Sequence, residues 1–455
     1  MTLTHRFAEA LPEMCTPWSP ERFPDLKVAV FNDALGRQLG IDGERLLAAL
    51  GDEERNAGHA QAYAGHQFGQ FVPLLGDGRA LLLGEVEVDG QSYDIHLKGS
   101  GPTPFARGGD GQAAIGPMLR EYLVSEAMAG LNIPTTRSLA VLTTGKRIQR
   151  ETVTDGALLV RVARSHLRVG SLQHAALRGE ETLRKTLDYA VATLSPGSSY
   201  KEFYAGVVES QAGLVATWMR AGFVHGVMNT DNTSLSGETI DYGPCAFIDE
   251  FDPDACFSSI DRQGRYAFRN QPAILGWNLA RLAEAMIPLL SLEDAQEVLG
   301  GYAGAYRRRW LEEMADAVGL AVAPPVEELL DDLVGLLPGT GIDYHRFLRG
   351  LAEAEGAETE GPYPTEVRLW LERWRALGPE TATLGEKNPL IIPRNHLLEE
   401  ALALAEGGDL SRVNLLARAF VNPYAWPSDA SEEEIAWLDR PVPPRRVPFV
   451  TYCGT

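Results

Sequence analysis

Two short strings constrain this chain more than anything else in it. They are His225-Gly226-Val227-Met228-Asn229-Thr230-Asp231-Asn232 and, nine residues after Asn232, Asp241-Tyr242-Gly243. Asn232 and Asp241 carry the side-chain oxygens that Mg2+ prefers, and such an ion is usually held by one or two protein groups plus nucleotide phosphates. Asp231 adds a carboxylate beside Asn232. Read alone, each string is also an ordinary turn, because small polar residues and Gly cap and bend a chain. Their pairing after a long helix-periodic segment, Phe203 to Ala221, ended by Gly222, disfavours the turn reading.

The spacing is that of a protein-kinase catalytic loop, His-x-Asp-x-x-x-x-Asn, followed by Asp-Phe-Gly. His225, Asn232 and Asp241 fall at the His, Asn and metal-Asp positions, whereas the catalytic-base position holds Val227, which cannot take a proton. Asp231 is the nearest replacement, placed to orient or deprotonate an attacking hydroxyl. With an ordinary pKa of about 3.9 it is a weak base unless its surroundings raise it. His225 is expected to be a structural hydrogen-bonder, and His66 and His96 receive no role.

Upstream, residues 70–98 read as three strands: Phe71 to Leu75, Ala80 to Val88 and Ser92 to Leu97. Gly76-Asp77-Gly78 and Asp89-Gly90 read as the turns between them. Lys98 ends the third strand, and a Gly-rich loop runs from Gly99 to Gly111. A helix is expected from about Ala113 to Gly130, carrying Glu121 23 residues after Lys98. Leu139 to Thr143 and Ala157 to Ala163 read as further strands, and residues 274–418 as amphipathic helices. The Pro-containing tail, Asn422 to Thr455, reads as an extended wrap or loop.

Several residues in this frame suit phosphate chemistry. A strand-end lysine fixed by a helical carboxylate, here Lys98 and Glu121, can hold phosphates. Gly76, Gly78 and Arg79 can bring backbone N–H groups and a guanidinium to an anion, though a plain hairpin turn reads the same way. Asp110-Gly111 suits nucleotide contact or a flexible loop. Arg161 and Arg168 flank the end of an apolar strand, where arginines are costly unless paired or facing a cleft.

Composition excludes more than it assigns. The 455 residues carry 62 acidic and 41 basic side chains, a formal net charge of −21. That surface repels nucleic-acid phosphates and anionic membranes, so neither is an expected partner. No apolar run approaches the ~18 residues of a membrane span. The segment Met1 to Pro20 contains Glu9 and Glu13 and lacks an apolar signal core, so the expectation is a cytoplasmic protein. The four cysteines, Cys15, Cys245, Cys256 and Cys453, show no Cys-x-x-Cys spacing.

With these residues assembled, the chain resembles the selenoprotein O (YdiU) family of protein adenylyltransferases. The resemblance covers most of the chain and is strongest from Tyr63 to Arg168 and from Gly222 to Pro272. It is carried by Tyr63-Ala64-Gly65-His66-Gln67-Phe68-Gly69, Leu97-Lys98-Gly99-Ser100-Gly101-Pro102-Thr103-Pro104, Gly108-Gly109-Asp110-Gly111, His225 to Asn232, Gly264-Arg265-Tyr266-Ala267 and Asn270-Gln271-Pro272. It implies an α+β, protein-kinase-like two-lobed fold: a small β-rich lobe over residues 1–165, a large helical lobe over 166–420 and an extended tail over 421–455. It implies ATP bound in a flipped orientation, with AMP passed to Ser, Thr or Tyr hydroxyls of proteins by a monomer.

Carried onto this sequence, Gly76, Gly78, Arg79, Lys98, Asp110, Gly111, Arg161, Arg168 and Asp241 would contact the nucleotide. Glu121 would pair with Lys98, Asp231 would be the base-like residue, and Asn232 and Asp241 would hold Mg2+, with Mn2+ as the alternative ion. The chain departs from the family at its end, where eukaryotic members carry selenocysteine and this one reads Tyr452-Cys453-Gly454-Thr455; Pro441-Val442-Pro443-Pro444 departs as well. A Cys256–Cys453 disulfide and two free thiols are both compatible with that ending. Transfer of UMP, transfer of the γ-phosphate and nucleotide binding without turnover are the competing expectations.

Overall fold

The computed structural model describes residues 3–52, 57–150, 152–352, 363–443 and 449–451. Its first part is a twisted sheet built from β1 (Cys15–Trp18), β2 (Lys27–Phe31), β3 (Gly58–Gln61), β6 (Ala80–Val88), β7 (Gln91–Lys98), β9 (Arg137–Gln149) and β10 (Val153–Ala163). The order across the sheet is β1-β3-β6-β7-β10-β9-β2, and every neighbouring pair is antiparallel. The two-strand segments β4 (Gly65–Gln67) and β5 (Gln70–Val72) form a separate hairpin, and the short β8 (Ala113–Ala114) pairs with β10.

Turn chemistry explains the centre of the sheet. Asp89 and Gly90 take φ of 51° and 75°, the double positive φ that a two-residue hairpin needs, and Val88 lies opposite Gln91. Alternation then divides the side chains between two faces. Leu81, Leu83, Leu158 and Val160 pack against the helices Asp33–Leu39 and Gly43–Gly51. Leu82, Val141 and Leu159 face the opposite way, toward the helix Ile115–Gly130.

That helix is packed by both parts of the architecture. Its core residues share one hydrophobic cluster with the large helical part, including Leu398, Leu415 and Phe420. Arg120 donates to the Cys245 carbonyl at 2.7 Å and pairs with Glu399 at 3.3 Å. Gly130 approaches the helix Ser411–Val421 so closely that a methyl group there would meet the Phe420 carbonyl oxygen at 1.9 Å. Glu121 therefore sits on an element held from both sides.

In the helical part, Ser199 and Glu202 form a capping box at the start of the helix Tyr200–Arg220. Gly222, at φ 60°, ends that helix and sends the chain into Phe223–Val224, which pairs with Ala246–Phe247. This small ladder brackets both strings singled out in the sequence. A second core, around Trp370, Trp374 and Phe347, supports the helices beyond residue 300.

Two expectations need correction. Phe71 to Leu75 is not a strand of the main sheet. Phe68 and Gly69, at φ 52° and 83°, turn the chain back early, so only Gln70–Val72 is extended, and it pairs with Gly65–Gln67. The tail is not wholly extended: Glu432–Leu438 is a helix started by a Ser431–Glu434 capping box, and Pro427 and Pro441 lie outside it. Cys453 and Pro444 lie outside the described residues; Cys256 is a half-buried free thiol. No helix among the described residues is long and apolar enough to cross a membrane.

Candidate active site

A cleft of about 710 Å3 opens between the sheet and the helical part. Gly78, Arg79, Lys98, Asp110, Gly111, Arg161, Arg168, Asp231, Asn232 and Asp241 all line it. Two sequence-selected residues stand behind its wall. Gly76 (φ 66°) backs onto the Phe105 ring, where a methyl group would meet Cγ at 2.4 Å, and Glu121 lies beneath Lys98.

The inner end is a four-residue charge cluster. Glu121 accepts from Lys98 Nζ at 2.7 Å through one oxygen, and from Arg161 Nε and Nη2 at 2.8 and 2.5 Å through the other. Asp241 Oδ1 accepts from Lys98 Nζ at 2.5 Å and Arg161 Nη2 at 3.1 Å. Glu121, Arg161 and Lys98 are buried. Burial works to raise the Glu121 pKa, but Arg161 and Lys98 outweigh it and keep the carboxyl below its usual range. Burial likewise opposes ionisation of Asp241, and Lys98 and Arg161 overcome it, holding that carboxyl well below the usual range.

Asp241 takes φ 71°, a left-handed conformation that Asp tolerates better than most residues. Both described bonds to its carboxylate use Oδ1. Asn232 donates from Nδ2 to the Val227 carbonyl at 3.0 Å, which fixes the amide and leaves its side-chain oxygen free to accept. Asn232 Oδ1 and Asp241 Oδ2, both on cleft-lining residues, are oxygens of the kind that could hold Mg2+. No cluster of three or more metal-ligating side chains occurs among the described residues, so an ion here would complete its shell with phosphate or water oxygens.

Asp231 lies in the single turn Thr230–Asn232. Burial pushes its pKa up to about 6, and its Oδ1 is buried without a hydrogen-bond partner. Arg168 donates from Nη1 to the Asp231 carbonyl at 3.2 Å and stacks on the Tyr63 ring with its guanidinium carbon 4.3 Å from the centroid. Arg168 Nη2 is buried and has no hydrogen-bond partner. Asp110 sits at the rim, paired with Arg150 at 2.8 and 3.0 Å.

His225 is structural, as expected: its Nε2 lies 3.0 Å from the Ile240 carbonyl, tying the first string to the second. Sequence reasoning missed the hairpin β4–β5, which clamps the string His225 to Asn232. His66 N donates to Thr230 Oγ1 at 2.7 Å, and Phe68 N to Asn229 Oδ1 at 3.1 Å. Tyr266 donates to the same Asn229 oxygen at 2.7 Å. In the sequence the string Tyr63 to Gly69 stands out only as a family marker; Gly65 and Gly69, four residues apart, are its one turn signal. His96, given no role, is buried with Nε2 3.0 Å from Asp77 Oδ2, and so braces the Gly76–Arg79 turn.

Comparison with known proteins converges on one family. The model for "Protein adenylyltransferase SelO" matches residues 1–419. A "Protein nucleotidyltransferase YdiU" of Pseudarthrobacter chlorophenolicus is 47% identical over 488 residues, covering 100% of this chain and 98% of the relative. Its counterpart in Mycolicibacterium paratuberculosis is 48% identical over 492 residues, with coverage of 100% and 98%. That of Chromobacterium violaceum is 46% identical over 486 residues, covering 98% of this chain and 100% of the relative. A solved Toxoplasma gondii protein with a protein-kinase fold, ROP2, aligns over 84% of this chain and 97% of its own at 13% identity with a TM-score of 0.25, too low to bear on the fold.

Proposed function

Because this chain belongs to the SelO family of protein adenylyltransferases and is a nucleotidyltransferase, we propose that it moves AMP from ATP to a Ser, Thr or Tyr hydroxyl of a protein and releases pyrophosphate. The observation that carries this reading is the contrast between Val227 and Asp231. The kinase base position is an apolar side chain, whereas four residues later Asp231 lines the cleft with a carboxyl whose pKa burial raises to about 6. The acceptor proton is thus taken from a place a kinase does not use, as suits a nucleotide that offers its α-phosphorus.

In this mechanism Lys98, Arg161, Arg168 and Arg79 bind the phosphate chain. Gly76 and Gly78 shape the turn that carries Arg79, and Asp110 and Gly111 contact the nucleotide at the rim. Glu121 keeps Lys98 and Arg161 aimed into the cleft. Asn232 and Asp241 would hold Mg2+, which when bound would neutralise charge on the phosphates. Asp231 receives the hydroxyl proton as the new O–P bond forms and the α–β phosphoanhydride bond breaks. Positioning and charge stabilisation supply the rate, since phosphoryl chemistry asks little covalent work of the protein. A monomer in the cytoplasm belongs to the same reading.

Asp231→Asn tests the assignment. ATP binding by calorimetry is expected to stay within a few fold, while incorporation of label from α-labelled ATP into a protein acceptor falls about 10²-fold or more. Undiminished incorporation would remove Asp231 from the chemistry.

A further inference from the structure

The SelO reading leaves open how an acceptor protein is recognised, and one surface feature bears on it. Beside the cleft mouth, two arginines meet one indole. The Arg265 and Arg281 guanidinium carbons lie 5.1 and 4.9 Å from the Trp277 ring centroid. His66 packs edge-on against the same ring at 5.0 Å and stands over Phe71 at 4.8 Å. The group adjoins the reacting residues. Gln67 and Phe68 line the cleft, and Gly69, next in the hairpin, lies against Arg265, whose guanidinium carbon a methyl group there would meet at 3.4 Å. Tyr266 links Arg265 to the catalytic string through its bond to Asn229.

Arg265 stands here without an ion pair on a strongly acidic protein. The chain carries −21, yet among the described residues no carboxylate lies within salt-bridge distance of Arg265. Asp261, the nearest acid in sequence, is occupied by the backbone N–H groups of Arg265 and Tyr266 at 3.0 and 2.8 Å. Among the described residues Arg281 pairs with Glu284 at 2.6 Å. The Nε atoms of both arginines are buried without a hydrogen-bond partner. A guanidinium stacked on an indole keeps its edge for a carboxylate and loses little freedom when it binds one. Phe71, 42% exposed, adds an apolar contact at the outer edge.

We propose that Arg265, Arg281 and Trp277, with His66 and Phe71, form the docking face for the acceptor protein, and that this face selects an acidic segment flanking the acceptor hydroxyl. The inference rests on the protein-acceptor reading above. An arginine without an ion pair on an acidic protein gives local selection: the overall charge favours acceptors that are not themselves strongly acidic, and the guanidinium pair on Trp277 fixes which segment enters.

Two fluorescent peptides test this. Both carry a Ser-Thr-Tyr core, flanked by Glu in one and by Gln in the other. By anisotropy at low salt, the full-length enzyme is expected to bind the Glu peptide about tenfold or more tighter. The preference should shrink as salt rises and should vanish in R265Q/R281Q, whose ATP affinity stays unchanged. Equal affinities in the wild type, a salt-independent preference, or a preference that survives in R265Q/R281Q would each overturn the docking face. The salt titration needs no variant and so stands if R265Q/R281Q fails to fold. Anisotropy reads binding without transfer, so absence of AMP transfer would sink the function proposed above and leave this measurement intact.

Discussion

Gly65 backs directly onto Asp231: a methyl group on Gly65 would lie 2.4 Å from Asp231 Oδ1 and 2.7 Å from Leu75 Cδ1. The contact sets how deep the carboxylate can sit, because nothing bulkier than hydrogen fits between the hairpin and the catalytic string.

Gly65→Ala should therefore displace Asp231 without touching the phosphate-binding cations. A misplacement near 1 Å in a transfer reaction costs on the order of 10²-fold in rate. The expected result is a loss of about 10–100-fold in kcat for label transfer with ATP affinity nearly unchanged. An unchanged kcat would show that Asp231 tolerates the push.

Glu121 and Asp241 hold the same two cations, yet should fail differently. Glu121 is 2% exposed, and Glu121→Gln leaves Lys98 and Arg161 buried with less compensation. Removing one partner of such a pair costs about 3–5 kcal/mol, visible as a lower denaturation midpoint in urea. The Asp241 side chain is 40% exposed. Asp241→Asn should leave the midpoint much closer to wild type while abolishing the stabilisation that Mg2+ and ATP together give in a thermal melt. Equal loss of stability in both variants would contradict this division of labour.

Glu238 gives a pH signature away from the chemistry. Burial raises its pKa from 4.5 to about 7, against hydrogen bonds from Ser236 and the Arg164 backbone. The folded protein therefore binds more protons than the unfolded chain between those values, so this group costs stability progressively as pH rises through the window. Glu238→Gln should gain in melting temperature relative to wild type between pH 5 and pH 8. A gap that stays constant across that range would remove Glu238 as its source.

Much of this site was legible because its signals were local. Asp89-Gly90 dictates a hairpin through positive φ, and Lys98 and Glu121 are placed by the strand and helix they end and occupy. Asn232 and Asp241 follow from spacing alone. What stayed hidden depends on contacts across long stretches of chain. The hairpin Gly65–Val72 reaches Asn229 and Thr230 over more than 150 residues, and nothing in its own pattern names that partner. Asp77 and His96 look like a turn residue and a strand residue until the sheet brings them together. The tail helix is a different case: the prolines around it speak for extended chain, and the Ser431–Glu434 capping box starts a helix between them.

The most direct measurement compares ATP labelled at the α- and at the γ-phosphate, with purified protein, Mg2+ and a protein acceptor. Covalent label from the α-phosphate alone, lost in Asp241→Ala, is the predicted result. Label from the γ-phosphate alone would make this protein a kinase and contradict the account in which Asp231 serves attack at the α-phosphorus.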